Sequence, residues 1–235
     1  MYSDVFCKVY NELGWNYYPE IFGQQLLIWL KRKGLRPQSS LDMGCGTGIL
    51  CQILHQSGVP AVAGMDLSEG MIRIARENGP EIDYGVADMV TYRPERTFDL
   101  VTCTGDALNH IESLGDVGQI FRNVYDCLNP GGYFIFDILN ENEISTSEPF
   151  EMDFSETVRV WFQMTQPEAG KVNLKIRVFE NGDLQFEENI RETVHDPARI
   201  CQMLRERGFS PVTCADRLLE DDNPGTTWFV IAKKS

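Results

Sequence analysis

Residues 40–50 read SLDMGCGTGIL, with glycines at 44, 46 and 48 between two apolar runs. Glycine at such spacing marks a tight turn in which another group can approach the backbone closely. A strand entering that turn and a helix leaving it place backbone N–H groups and a helix N-terminus at the carboxyl edge of a sheet. α/β folds hold their ligands at that edge. The loop therefore demands a strand on one side and a helix on the other.

The rest of the chain supplies the sheet. Pro19 to Gly34 carries Ile21, Phe22, Leu26, Leu27 and Leu30 near helical spacing and ends on Lys31, Arg32 and Lys33, which reads as a helix with start and stop signals. Strand and helix then alternate: strand Ser40–Met43, helix Ile49–Gln56, strand Val59–Met65, helix Ser68–Glu77 capped by Ser68, and strands Ile82–Val86 and Asp99–Cys103. Helix Val117–Leu128, closed by Asn129-Pro130-Gly131-Gly132, leads into strand Tyr133–Ile138. This alternation with short connections predicts a parallel sheet covered on both faces.

From about residue 140 to 195 the period changes from helical to two. Val158, Val160, Phe162 and Met164 alternate with polar neighbours, as do Val172, Leu174, Ile176 and Val178, and then Leu184, Phe186, Glu188 and Ile190. Asn181-Gly182 between the second and third runs predicts a tight hairpin in an inserted antiparallel sheet. Helix Pro197–Arg207, ended by Gly208, and closing strands Val212–Cys214 and Thr227–Ala232 restore the earlier rhythm. The expected organisation is a discontinuous core, residues 1–139 and 196–235, with a cap at 140–195 over the mouth of the site.

Acids at strand ends narrow the ligand. A dinucleotide loop is spaced G-x-G-x-x-G, and here the third glycine comes one residue early. Asp42, two residues before Gly44, would face a pyrophosphate unfavourably. S-adenosylmethionine carries an ammonium and a sulfonium, so the same carboxylate attracts it. Asp66 closes the next strand in AVAGMDLS, where a carboxylate can take both hydroxyls of a ribose. Asp88 in GVADM follows the third strand and can accept from an adenine amino group, with Leu67, Met71 and Met89 as apolar surfaces for the ring.

The segments LDMGCGTG, GMDLSEGMI, VADM, FDLVTCTGDALNHI and LNPGGYFIFDI together resemble the motif set of the class I S-adenosylmethionine-dependent methyltransferases. The resemblance spans roughly residues 1–139 and 196–235. It implies a Rossmann-like, seven-stranded, mostly parallel sheet with helices on both faces and an antiparallel last strand. It also implies S-adenosylmethionine as cofactor and S-adenosylhomocysteine as product. Asp42, Gly44 and Gly46 would hold the methionyl part, with Cys45 in the loop and given no chemistry; Asp66 would hold the ribose, Leu67 the adenine face, and Asp88 with Met89 the base edge. An insertion after the fifth strand is similar to small-molecule methyltransferases of the glycine/sarcosine or aminosugar N-methylating kind.

CTGDALNHI, residues 103–111, lies where the fourth strand ends and brings Asp106, Asn109 and His110 beside the expected methyl group, with Cys103 at its start expected on the cofactor. Asp106 is either an anchor for a cationic acceptor or an N-cap. His110 is either a proton acceptor or a hydrogen-bonded structural residue. The aromatic N-terminal stretch YNELGWNYYPEIF offers Tyr10 and Tyr18 for the cofactor or the substrate mouth, and Trp15 and Tyr17 for packing the first helix onto the sheet. On the cap, Arg159, Trp161, Arg177, Arg191 and His195 read as a solvated or cross-strand-paired face; any that point inward would read a substrate carboxylate or phosphate.

Composition excludes several classes. A formal net charge of -14 disfavours a nucleic-acid partner. Seven cysteines without a CxxC pair and three dispersed histidines indicate neither a disulfide framework nor a metal site. The longest apolar runs are far too short to span a bilayer, and the N-terminus lacks a basic-then-apolar signal pattern, so a cytoplasmic chain is expected. The function read from sequence is methyl transfer to a small-molecule acceptor, nitrogen before oxygen, by in-line displacement. The alternative is a catalytically silent binder of S-adenosylmethionine or S-adenosylhomocysteine acting through partners. Oligomeric state is not written in the pattern.

Overall fold

Two helices, α1 (Asp4–Val9) and α2 (Tyr17–Arg32), precede the first strand in the computed structural model, which describes residues 4–93, 95–141, 148–222 and 227–235. Alternation follows: β1 (Ser39–Met43), α3 (Ile49–Gln56), β2 (Ala61–Asp66), α4 (Glu69–Asn78), β3 (Asp83–Val86), β4 (Phe98–Cys103), a 3-10 turn at Ala107–His110, α5 (Leu114–Cys127) and β5 (Leu128–Leu139). Four strands then run in succession, β6 (Phe150–Asp153), β7 (Val158–Thr165), β8 (Lys171–Glu180) and β9 (Asp183–Thr193). The chain closes with α6 (Pro197–Arg207), β10 (Phe209–Ala215) and β11 (Thr227–Lys234).

Seven strands form one sheet in the order β10-β11-β5-β4-β1-β2-β3. β1 to β5 pair in parallel, and β11 runs antiparallel to both β5 and β10. The direction of strand order reverses between β1 and β4, so the loops leaving those two strands splay apart and open a crevice between them. Both faces are covered, and β5 shows how: Phe134 and Phe136 pack with Phe121 of α5 and Leu204 of α6, while Ile135 packs with Leu26 of α2 and Leu54 of α3. A strand buried on both sides reads as a continuous apolar run, as this one does.

The second sheet, β6-β7-β8-β9, is antiparallel throughout. Asn181 and Gly182 both take positive φ, 52° and 88°, the conformation that a two-residue hairpin turn needs. Its apolar face, with Val160, Ile176, Val178 and Ile190, closes over Phe6 and Cys7 of α1. The same cluster includes Met71 of α4, so α1 is wedged between the cap sheet and the nucleotide-side helix.

Three details depart from the pattern reading. α1 was not expected, because six residues are too few to show helical periodicity. The cap has a fourth strand, β6, exposed along its whole length and too short to register. β5 starts at Leu128, absorbing the expected Asn129–Gly132 turn as a register shift between the Phe98 and Leu100 pairings. Residues 142–147, counted in the cap by period, lie outside the described residues.

Candidate functional site

The glycine loop is built by conformations that only glycine takes cheaply. Gly44 has φ +76°, and a Cβ there would stand 2.9 Å from the Ala107 methyl, so the loops after β1 and β4 touch through it. Gly46, at φ +52°, has open space where a Cβ would be. Strand pairing then places the acids. Asp42 is the register partner of Thr102 on β4, and the Thr102 hydroxyl donates to Asp42 Oδ1 at 2.7 Å. Asp66 ends β2; its Oδ2 accepts from Gly46 N–H at 2.9 Å and its Oδ1 from Ser68 N–H at 2.8 Å. Asp88 folds back on its own loop, with Oδ1 accepting from Val90 N–H at 2.8 Å.

These residues converge on one cavity of about 560 Å³, within the ordinary range for a small-molecule site. Asp42, Gly44, Gly46, Asp66, Leu67, Asp88 and Met89 line it, together with Tyr10, Cys45 and Met71. Burial pushes the Asp42 carboxyl up to about 7, partly offset by the Thr102 hydroxyl, and burial also raises Asp66 against the pull of its backbone donors. Both carboxyls would fall back on meeting a cation. The lining holds the acids Asp42, Asp66, Asp88 and Glu188 against Arg191, so the cavity favours a positively charged guest.

At the other end, the loop after β4 is fixed by Asp137, a fully buried residue of β5. Its carboxylate accepts from Gly105 N–H and Asp106 N–H, both at 3.1 Å, and from the Tyr18 hydroxyl of α2. Asp106 itself sits in the left-handed region at φ 58°. Its carboxyl is pushed well up, first by burial and then by Asp137 and Glu192. Asn109, wholly buried, donates from Nδ2 to Thr193 O at 2.7 Å and accepts Leu139 N–H at 3.2 Å, joining the 3-10 turn to both β9 and β5. His110 next to it lines the cavity, and burial lowers its pKa so that the ring stays neutral near pH 7.

Residues 41–132 match the family described as "Methyltransferase domain". Over nearly its whole length, 97% of this chain and 96% of the relative, the chain is 28% identical to a protein of Geobacillus sp. (strain WCH70) that carries a methyltransferase name. A ubiquinone biosynthesis O-methyltransferase of Nitrosomonas europaea is 32% identical, over 56% of this chain and 52% of that one. Among solved structures, an S-adenosylmethionine-dependent methyltransferase from Clostridium acetobutylicum superposes with a TM-score of 0.80 at 23% identity, over 91% of this chain and 90% of that one. An S-adenosylmethionine-bound amino pentose methyltransferase of Micromonospora echinaspora gives 0.77 at 19% identity, over 100% and 98%. Residues 41–132 thus match a methyltransferase domain, and the whole chain has the fold of the S-adenosylmethionine-dependent methyltransferases among the solved structures.

Within this fold the structure brings together most of the residues singled out by sequence. Cys103 is an exception: it is fully buried among the α5-side core, and its neighbours Thr104 and Gly105 line the cavity instead. Tyr18 and Asp106 lie beside the cavity rather than on its wall and act on it through Asp137. Asp106 stands at the N-terminus of the 3-10 turn without a side-chain capping bond. Tyr17 is 66% exposed, and Trp15 packs on Phe6, Tyr10 and cap residue Phe162, so neither holds α2 on the sheet. On the cap, Arg159 pairs with Asp153, and Arg177 pairs with Glu187 beneath Trp161, as a cross-strand face should. His195 is buried against Ile111 O at 3.0 Å, while Arg191 reaches the cavity.

Sequence reasoning named Asn109 without a role and missed Asp137, Glu192 and the link from Asn11 to the loop, where Thr47 Oγ1 donates to Asn11 Oδ1 at 2.8 Å. One of these carried a signal. Asp137 interrupts the apolar run FIFDIL, and an acid inside a strand buried on both faces must be satisfied by something.

Proposed function

We propose that the protein transfers a methyl group from S-adenosylmethionine to a nitrogen of a small-molecule acceptor, leaving S-adenosylhomocysteine. The observation that carries this reading is the convergence of Asp42, Asp66 and Asp88, from the ends of three successive strands, on one cavity floored by Gly44 and Gly46. A ligand with a cationic centre and a ribose fits such a lining; a pyrophosphate does not.

The residues fit the cofactor on their own chemistry. Each Asp66 oxygen accepts one backbone N–H and keeps a lone pair for a ribose hydroxyl. The open space at Gly46 lets a ligand lie against the loop, and Leu67, half exposed on the cavity wall, offers an apolar surface for a base. When bound, the cofactor supplies a methyl group already activated on a sulfonium.

What remains for the protein is alignment and a proton. A nucleophile must be held about 3 to 3.5 Å from the carbon it attacks, and the clamped loop after β4 is a rigid wall for that purpose. An amine arrives protonated and must lose a proton before it can react. Neutral His110 can accept it, and the acid-rich lining of the cavity favours a cationic acceptor over a neutral phenol. The amino pentose in the name of one structural relative fits an acceptor that bears an amine; the O-methyltransferase name of a sequence relative that is matched over about half its length argues less.

The test is transfer of labelled methyl from S-adenosylmethionine into a panel of small amines and phenols, run beside cofactor binding. Labelled amine products support the reading. Binding with no transfer to any member of a broad panel would favour a silent binder.

A further inference from the structure

A second cavity, of about 500 Å³, lies under the edge of the cap sheet and meets the first at His110, Asn189 and Arg191. Apart from Val172 and Pro167, every residue lining it carries a charge or a hydrogen-bonding side chain. We propose that this second cavity seats the amine of the acceptor, with Glu192 and His110 as the two groups that receive its N–H bonds. The inference rests on the methyl-transfer reading and adds to it the place and chemistry of acceptor binding.

The geometry is specific. Nε2 of His110 and Oε1 of Glu192 stand 4.0 Å apart, too far to bond to each other and close enough for one ligand nitrogen to donate to both. The Glu192 side chain is only 14% exposed, so a charge–charge contact there is weakly screened. The Lys171 ammonium in the same cavity is held by Glu112 at 2.6 Å and by Thr193 Oγ1 at 3.0 Å rather than by Glu192. Both groups are fixed in place by Asn109, whose bond to Thr193 O ties the turn carrying His110 to the strand carrying Glu192.

The proton balance is simple. An ammonium group enters with its N–H bonds directed at the carboxylate and the imidazole. One proton passes to the ring, the electrons of that N–H bond stay on nitrogen as the lone pair that will attack, and Glu192 steadies the imidazolium until solvent in the open second cavity takes the proton.

The chain has three histidines, so their ring resonances are separable by NMR. Protein first saturated with S-adenosylhomocysteine is titrated with methylammonium chloride, and in parallel with tetramethylammonium chloride at equal ionic strength. The first ion donates N–H bonds and the second cannot. His55, 3.9 Å from Glu81 on the surface, is an internal control for non-specific ion pairing. Methylammonium should shift His110 saturably, with His55 and His195 unmoved and tetramethylammonium without effect, and Glu192→Gln should weaken that binding at least about tenfold. Equal shifts from both ions, or undiminished affinity in a folded Glu192→Gln protein, would overturn the proposal; the wild-type contrast alone decides it should the variant not fold. Failure of S-adenosylhomocysteine to saturate the protein would instead remove the methyl-transfer reading, a result distinct from saturation without a selective His110 shift.

Discussion

The backbone N–H of Gly46 donates to Oδ2 of Asp66 at 2.9 Å, so the glycine loop after β1 is latched to the acid that ends β2. One carboxylate thus shapes the loop and faces the cavity. Replacing Asp66 by Ala should weaken S-adenosylhomocysteine binding by roughly 100-fold, through the loss of about two charge-assisted hydrogen bonds. Asp66→Asn, which keeps one acceptor oxygen, should fall between. Calorimetric titration of the two variants would read the order.

Gly44 and Gly46 should separate stability from binding. Gly44→Ala adds a left-handed penalty of about 1 to 2 kcal/mol to a methyl contact with Ala107 at 2.9 Å, so its melting temperature should drop most. Gly46→Ala meets nothing, should cost only the backbone penalty, and should lose ligand affinity out of proportion to its stability. Paired denaturation and binding curves test this; equal loss of stability in both variants would contradict the close approach at Gly44.

Asp42 links the site to pH. Its carboxyl titrates near 7 in the fold, against about 3.9 in an unfolded chain, so between those values the folded state holds a proton that the unfolded state has lost. Unliganded stability should therefore decline as pH rises from 4 to 7 and level off above, by at most about 4 kcal/mol from this group. Asp42→Asn should flatten that slope and be the more stable protein at pH 8. Ligand affinity in the wild type should run the opposite way, rising with pH as the carboxylate forms, with proton release visible as buffer-dependent binding heats.

The three cavity acids were legible in the sequence because each falls at or just past the end of an expected strand, and strand ends in an alternating fold share one edge. Asp137 was harder to see, since its role depends on Tyr18, 119 residues earlier in the chain, and on the loop after β4, 32 residues earlier at Gly105. Cys103 was misplaced for a local reason: one residue of strand parity turns its side chain into the α5-side core and leaves the wall to Thr104. Glu192 was not singled out, and Arg191 was left between a surface-paired residue and an inward reader of an anion. Period two shows that they face opposite sides of β9, but only the docking of the cap on α1 and on the turn at Asn109 decides which cavities they reach.

Tyr18→Phe should test how far the clamp at Asp137 matters. It removes one donor from a fully buried carboxylate and should cost about 1 to 3 kcal/mol in urea denaturation. Because Gly105 N–H and Asp106 N–H still hold Asp137, cofactor affinity should change little. A large loss of affinity with intact stability would place the Tyr18 hydroxyl in the cavity itself.

The central claim is that the glycine loop and its acids hold a cationic adenosyl ligand. Its most direct test is a calorimetric titration of the purified protein with S-adenosylmethionine, S-adenosylhomocysteine and NAD. Saturable binding of the two adenosyl thio-compounds and none of NAD is the predicted result. Tight NAD binding without S-adenosylmethionine binding would contradict it and show that Asp42 does not set the charge of the site.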